Sequence, residues 1–147
     1  MATFISNSPD ETESFGRQFA GTVKPGNVIA LTGDLGSGKT QFAKGLAAGL
    51  GAKTAVTSPT FTLIHEYAGG RLPLYHFDFF RIEDPQAAGR LGLDEYFFGD
   101  GVSVVEWADR FPDLIPENAL WISFETKSEN EREITVADDS PALRRWD

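Results

Sequence analysis

The pattern of apolar and polar positions predicts a strand, a helix and a second strand in the first third of the chain. Residues 3–5 (TFI) suit a short edge strand. Residues 8–11 (SPDE) look like a helix start, because a Ser cap and a Pro at the first position precede acidic residues in the first turn. Apolar positions at helical spacing extend this helix to about Lys24, before Pro25. Residues 28–31 (VIAL) form a continuous apolar run, which is typical of a buried parallel strand.

The rest of the chain is predicted to contain more strands than helices. A helix runs from Thr40 to about Leu50, and we expect a hairpin from the β-rich residues 60–67 and 72–77 around a turn. A short helix suits residues 85–91, and further strands are predicted at 102–105, 120–124 and 132–136. Together these elements predict a three-layer α/β fold in which antiparallel strands are attached to a mainly parallel sheet.

Length and composition indicate one soluble domain spanning residues 1–147. The sequence has no apolar run near the ~20 residues of a membrane span, and its start lacks the basic and apolar segments of a secretory signal. The absence of cysteine excludes disulfides and thiolate metal sites and favours a cytoplasmic location, and two histidines argue against structural zinc.

The net charge is −9, from 22 acidic and 13 basic residues. An acidic domain is repelled by the phosphate backbone of nucleic acids. We therefore expect any contact with nucleic acid to be indirect and to run through a partner.

Between the second strand and the second helix lies a match to the phosphate-loop pattern G-x-x-x-x-G-K-[ST]. Its glycines let backbone N–H groups turn onto phosphate oxygens, and the helix that follows directs its positive end at the same phosphates. Lys39 is expected to face solvent and supply a mobile cation, and Thr40 a hydroxyl ligand for Mg²⁺. The flanking strand and helix argue against a chance glycine-rich turn. The predicted nucleotide-binding residues of this loop are Gly33, Asp34, Leu35, Gly36, Ser37, Gly38, Lys39 and Thr40.

ATP is the predicted nucleotide, because the D-x-x-G and N-K-x-D motifs of Ras-type GTPases are absent from the sequence. The partner of Thr40 on the Mg²⁺ side is expected at the end of another buried strand, where Glu106 follows residues 102–105. Glu106 can hold Mg²⁺, directly or through water, or polarise the attacking water. The alternative is a solvated glutamate at a strand end.

A second polar cluster follows the strand at residues 72–77. Asp78 can bind a metal-bound water or orient the nucleophile, and Arg81 can pair with Asp78 or reach phosphate. A structural ion pair between the two is the alternative. His76 is interpreted as a hydrogen-bonded structural histidine, and residues 57–60 as a turn located where NTPases place a nucleotide-sensing loop.

Four segments occur in the order and spacing of the bacterial TsaE (YjeE) ATPases, which the chain resembles over almost its whole length. These segments are residues 33–40 (GDLGSGKT), 57–63 (TSPTFTL), 76–81 (HFDFFR) and 105–107 (VEW). The resemblance implies an ATPase of threonylcarbamoyladenosine biosynthesis, a modification of tRNAs that read codons starting with A. It also implies that the protein acts with a complex of TsaD and TsaB, where its ATP hydrolysis supports the turnover of TsaD.

The resemblance also implies roles for individual residues. The Mg²⁺ ligands of the family fall on Thr40 and Glu106, and its essential aspartate falls on Asp78. Thr12 and Arg132 match positions associated with nucleotide contact. Lys39, Asp78 and Glu106 are thus the expected catalytic residues, and whether Asp78 or Glu106 orients the water stays open.

Two aromatic residues belong to the same motifs. Trp107 is either buried beside the site or in contact with a partner. Phe80 stands where the family usually has tyrosine, so any role of that hydroxyl is lost or moved here.

Two other functions fit the phosphate loop. A small-molecule P-loop kinase usually has an arginine-bearing lid, and no arginine-rich segment is evident. A nucleotide-dependent interaction module would need ATP binding more than hydrolysis. Because the sequence places no obvious arginine finger, we expect slow ATP turnover by the protein alone and faster turnover with its partners.

Overall fold

The computed structural model describes residues 2–57, 64–84, 86, 89–90 and 92–137. The strands are β1 (Ala2–Ser6), β2 (Val28–Gly33), β3 (Thr54–Thr57), β4 (Ile64–Ala68), β5 (Leu74–Asp78), β6 (Val102–Glu106), β7 (Leu120–Thr126) and β8 (Arg132–Val136). The α-helices are α1 (Pro9–Phe19), α2 (Lys39–Gly49) and α3 (Leu93–Phe97). Short 3₁₀ turns cover Ala20–Thr22, Phe79–Arg81, Ala108–Arg110 and Pro112–Leu114.

In the described part of the chain, eight strands form one sheet in the order β1-β8-β7-β2-β6-β5-β4-β3. The four central strands β7, β2, β6 and β5 are mutually parallel, and the strands on both sides of them pair antiparallel. The mixed sheet confirms the predicted α/β fold. Because the central strands run in the same direction, Gly33, Asp78 and Glu106 all lie at one edge of the sheet, where parallel sheets bind ligands.

Apolar side chains cover both faces of the central strands. In β2, Ile29 and Leu31 join the core under α1 and α2, whereas Val28 and Ala30 join the core on the opposite face, which includes Phe97 of α3. This split follows from the two-residue period of a strand. It explains why the sequence of β2 is continuously apolar, since a strand covered on both faces has no solvent side.

Helices α1 and α2 approach each other so closely that glycine is required between them. A Cβ on Gly45 would lie 1.9 Å from the carbonyl oxygen of Glu13, and one on Gly49 would lie 2.3 Å from that of Arg17. Thr12, directly before Glu13 in α1, lies against Gly38 at the start of α2, where an added Cβ would be 3.3 Å from the Thr12 methyl. The helix pair therefore fixes α1 against the phosphate loop.

Most of the predicted elements are confirmed. The Ser8 Oγ accepts a hydrogen bond of 3.1 Å from the N–H of Glu11, so the predicted cap is present, and β4 and β5 form the predicted hairpin. The first helix was predicted to reach Lys24, but α1 ends at Phe19 and a 3₁₀ turn follows. The Thr22 hydroxyl tightens this turn by donating to the carbonyl of Phe19 at 2.8 Å.

Two short elements were not predicted, namely β3 and α3. The predicted helix at 85–91 and the nucleotide-sensing loop at 57–60 lie largely outside the described residues, as do residues 60–63 of the predicted hairpin strand. Within the part of the chain that is described, no helix has the length and apolar character needed to cross a membrane.

Candidate functional site

The phosphate loop has a backbone that favours glycine at Gly33 and Gly38. Gly33 has φ of +143° and Gly38 has φ of +105°. A Cβ on Gly33 would also lie 2.6 Å from the carbonyl oxygen of Phe124 and 2.7 Å from the Ser37 Oγ. Gly38 is the N-cap of α2 and supplies no side-chain cap, so the positive end of this helix opens towards the loop.

A cavity of about 340 Å³ lies in front of this loop, within the size range of small-molecule sites. Four parts of the chain surround it: the loop and first turn of α2, the start of α1, the end of β6 and the turn before β8. The residues that line the cavity are 35–41, Ser8, Pro9, Thr12, Glu106, Trp107, Glu129, Asn130 and Arg132.

Ser37 carries a polar atom that suits an anion in this cavity. Its side chain is fully buried in the loop, and its Oγ has no hydrogen-bond partner among the described residues. Buried hydroxyls without a partner are uncommon in folded proteins because their desolvation is not compensated. A phosphate oxygen in the loop would supply the missing acceptor, so the residues present fit a nucleotide phosphate.

The expectation that Lys39 faces solvent is wrong. Lys39 is only 4% exposed, and its Nζ donates a hydrogen bond to the carbonyl oxygen of Gly33. The same Nζ lies 3.3 Å from the centroid of the Trp107 ring, a cation–π contact. Burial lowers the pKa of Lys39, and nearby carboxylates, chiefly that of Glu106, oppose this effect. An aromatic face and a carbonyl thus replace water around the ammonium.

Thr40 and Glu106 meet across the edge of the sheet as the sequence predicts. The Thr40 hydroxyl donates to the Glu106 carboxylate at 3.1 Å to Oε1 and 3.2 Å to Oε2. Glu106 is 8% exposed, so it is not the solvated glutamate of the alternative interpretation. Burial raises the pKa of Glu106, but hydrogen bonds from His76 and Thr40 and the nearby charges outweigh it and leave the pKa below its ordinary value.

This hydroxyl–carboxylate pair fits a hard divalent cation such as Mg²⁺. Mg²⁺ prefers oxygen ligands and usually takes one or two from the protein, with phosphates and water completing its shell. No group of three or more His, Cys, Asp or Glu side chains that could hold a metal occurs in the described ranges. Thr40 and Glu106 would therefore hold Mg²⁺ together with a nucleotide rather than as a protein-only cage.

Asp78, at the end of β5, is the register partner of Glu106 on β6. It does not line the cavity. Its Oδ1 accepts a hydrogen bond of 3.0 Å from the N–H of Phe80, and its Oδ2 is 3.4 Å from the Nε of Arg81. The ion pair is the alternative considered for these two residues, and it is present. Arg81 is well exposed, so the pair adds little stability.

Thr12 and Arg132 both line the cavity, and both also support the loop. The Thr12 Oγ1 is 2.7 Å from the Ser6 Oγ. The Arg132 guanidinium donates to the carbonyl of Gly36 at 3.3 Å and to carbonyls of the turn between β7 and β8. Their contact with a nucleotide remains a prediction. Gly33 and Asp34 do not line the cavity, and Leu35 is exposed at the tip of the loop.

Trp107 lines the cavity but is only partly buried, so its predicted position beside the site is confirmed and its burial there is not. Among the described residues it alone is a non-glycine with positive φ, at +60°. This backbone turns its ring under Lys39, and the exposed ring of Phe80 packs against it at a centroid distance of 4.9 Å. Phe80, at the position of the family tyrosine, therefore contacts the aromatic partner of the loop lysine.

His76 is a buried, hydrogen-bonded histidine, as interpreted from the sequence, and its partner is Glu106. Its Nε2 lies 2.5 Å from the Glu106 Oε2, and both side chains are buried. The two residues occupy adjacent parallel strands two register positions apart and so share a face. That relation could have been found in the sequence only by assuming the pairing of β5 with β6.

Comparison with known proteins places the chain among relatives that match nearly all of it. The family model described as "Threonylcarbamoyl adenosine biosynthesis protein TsaE" matches residues 6–134. A relative from Bacillus subtilis (strain 168), named tRNA threonylcarbamoyladenosine biosynthesis protein TsaE, is 50% identical over 128 residues, covering 87% of this chain and 80% of the relative. A protein of the same name from Treponema pallidum (strain Nichols) is 41% identical over 133 residues, covering 90% and 98%.

The fold agrees with these matches. A crystal structure of YdiB from Bacillus subtilis superposes with a TM-score of 0.78 at 42% identity and covers 98% of this chain and 87% of that chain. With a family model that matches most of the chain, including the phosphate loop and Glu106, the chain belongs to the TsaE family.

Proposed function

We propose that this protein binds ATP with Mg²⁺ at its phosphate loop and hydrolyses it to support threonylcarbamoyladenosine modification of tRNAs that read codons starting with A. The observation that carries the proposal is the Thr40–Glu106 pair, 3.1 Å apart beside the phosphate loop. A hydroxyl and a carboxylate at these two positions are what MgATP requires of a P-loop protein.

Different groups of the loop contribute different contacts to the phosphates. Backbone N–H groups of the loop and the Ser37 hydroxyl contact the phosphates, and the positive end of α2 stabilises their charge. When the nucleotide binds, the Lys39 ammonium would leave the carbonyl of Gly33 and the ring of Trp107 and contact the β- and γ-phosphates instead. Because the exchange replaces a buried carbonyl and a ring with anions, it strengthens the interactions of the lysine.

Two carboxylates remain for metal binding and water orientation. Glu106 already faces the Thr40 hydroxyl, and its lowered pKa keeps it ionised near neutrality, so we assign it to the metal. Bound Mg²⁺ would neutralise charge that develops on the phosphates. Asp78 is next to Glu106 in register and partly exposed, so we assign it to the attacking water.

The proposal includes the partners TsaD and TsaB and a slow rate for the protein alone. Among described arginines, Arg132 lines the cavity, but its guanidinium is bonded to backbone carbonyls of the loop and the neighbouring turn. A site without a free arginine lacks part of the transition-state stabilisation that P-loop enzymes use. The net charge of −9 is consistent with contact to tRNA through partners rather than directly.

The test measures labelled ATP turnover by the protein alone and with TsaB and TsaD together. We expect slow release of free phosphate that rises when both partners are present, whereas a phosphorylated acceptor would indicate a kinase. In a strain lacking this protein, nucleoside mass spectrometry should show loss of threonylcarbamoyladenosine. Normal levels of the modified nucleoside would refute the pathway assignment while leaving ATP hydrolysis to be judged by the first assay.

A further inference from the structure

A patch of polar and aromatic side chains lies on the α2-facing side of strands β4, β5 and β6, near their edge at the phosphate loop. His76 is at its centre, with the ring of Tyr67 at a centroid distance of 6.4 Å and nearly parallel, and the ring of His65 at 6.1 Å. Leu74, Val102 and Val104 belong to the apolar core on the same side. The histidine thus marks the boundary between this core and the site.

Only one of the two ring nitrogens of His76 has a hydrogen-bond partner among the described residues. Its Nε2 is 2.5 Å from the Glu106 Oε2, and its buried Nδ1 has no hydrogen-bond partner in the described part of the chain. Since a carboxylate oxygen can only accept, the imidazole donates its Nε2–H to Glu106. The residue is 8% exposed, so this donor is held inside the protein and not shared with solvent.

From this geometry we propose that His76 is a positioning residue that fixes the Glu106 carboxylate opposite Thr40 in the orientation required for Mg²⁺. The inference rests on the proposed function. A glutamate side chain has three rotatable bonds, and in Glu106 two donors, His76 and Thr40, hold the carboxylate. Thr40 is exposed and is itself an expected metal ligand, so His76 is the donor that still holds Glu106 when the hydroxyl turns to the metal.

Without His76, Glu106 keeps its place in the sequence but loses the buried donor that fixes the orientation of its carboxylate. Outer-shell partners of metal ligands typically contribute about 10–100-fold to metal affinity or activity. A residue that merely fills space would affect thermal stability and leave metal binding unchanged. The two roles therefore predict different results for variants of different hydrogen-bonding capacity.

The test compares His76→Gln, His76→Asn and His76→Leu. The amide nitrogen of Gln takes the place of Nε2 and can donate to Glu106, whereas that of Asn takes the place of Nδ1 and cannot reach it. His65→Gln is the matched control, because His65 is the register partner of His76 on β4. The readout is the gain in affinity for adenylyl imidodiphosphate when Mg²⁺ replaces EDTA, together with the thermal midpoint of each variant.

We expect His76→Leu and His76→Asn to lose at least about 10-fold of the Mg²⁺-dependent gain, and His76→Gln and His65→Gln to keep most of it. Affinity without metal should change by less than about twofold, since His76 does not line the cavity. An unchanged Mg²⁺ gain in folded His76→Leu, or equal losses in the Gln and Asn variants, would overturn the inference. If the wild-type protein itself shows no Mg²⁺ gain, the proposed function fails first.

Discussion

Substitution of Gly45 by alanine should weaken the protein and its nucleotide site together. The added Cβ would lie 1.9 Å from the carbonyl oxygen of Glu13 and 3.0 Å from the N–H nitrogen of Arg17, both in the backbone of α1. Ordinary contact begins at 3.4 Å, so α1 must move away from α2 by about 1.5 Å. Because these are backbone atoms, no side-chain rotation relieves the clash.

The size of the effect follows from two opposing contributions. Overpacking of this kind costs about 3 kcal/mol, whereas alanine in place of glycine inside a helix returns about 1 kcal/mol. The net loss is about 2 kcal/mol in the free energy of unfolding, which lowers the thermal midpoint of a chain of this length by about 7 °C. Since α1 also presses Thr12 against Gly38, we expect weaker ATP binding as well.

Gly21→Ala is the matched control, because nothing lies within 4 Å of a Cβ added there and no positive φ is present. It should be neutral or more stable by up to about 1 kcal/mol. Urea unfolding and thermal melts of the two variants and wild type give the comparison. If Gly45→Ala is as stable as Gly21→Ala, the close approach of α1 and α2 described above is incorrect.

Four further substitutions probe the site itself. Lys39→Ala should weaken MgATP binding by about 30–100-fold through loss of charged hydrogen bonds, measured by titration calorimetry, while circular dichroism stays that of a folded protein; unchanged affinity would remove Lys39 from the site. Thr40→Ala and Glu106→Ala should each lower the rate of ATP hydrolysis about 100-fold or more, whereas the affinity for metal-free ATP should change little. If either variant keeps both hydrolysis and the gain in affinity from Mg²⁺, the metal role is contradicted. Asp78→Asn keeps an acceptor for the N–H of Phe80, so it should fold and bind ATP yet lose the partner-stimulated rate, measured as phosphate release.

The parts of the fold that depend on local sequence were predictable. The phosphate loop, the Ser8 cap and the apolar run of β2 each carry their signal within a few neighbouring residues. Helix α3 has five residues and follows a left-handed Gly92, so it is too short to show a helical period. The early end of α1 is accompanied by a contact between the Thr22 hydroxyl and the carbonyl of Phe19, which the helical spacing of apolar residues does not reveal.

The arrangement of the site depends on pairings between distant segments, and here sequence reasoning reached only part of it. The meeting of Thr40 and Glu106 followed from both residues lying at the carboxyl edge of a parallel sheet. The burial of Lys39 could not be predicted in this way, because it requires the left-handed backbone of Trp107, an unusual conformation for a residue with a side chain. The role suggested for His76 required the register between β5 and β6.

The central claim is that the phosphate loop binds ATP together with Mg²⁺, and titration of ATP into the wild-type protein with Mg²⁺ and again with EDTA tests it most directly. We expect one ATP per chain and an affinity at least about 10-fold higher with Mg²⁺, because Thr40 and Glu106 contribute to binding only through the metal. Absence of binding, or equal affinity in Mg²⁺ and EDTA, would contradict the account.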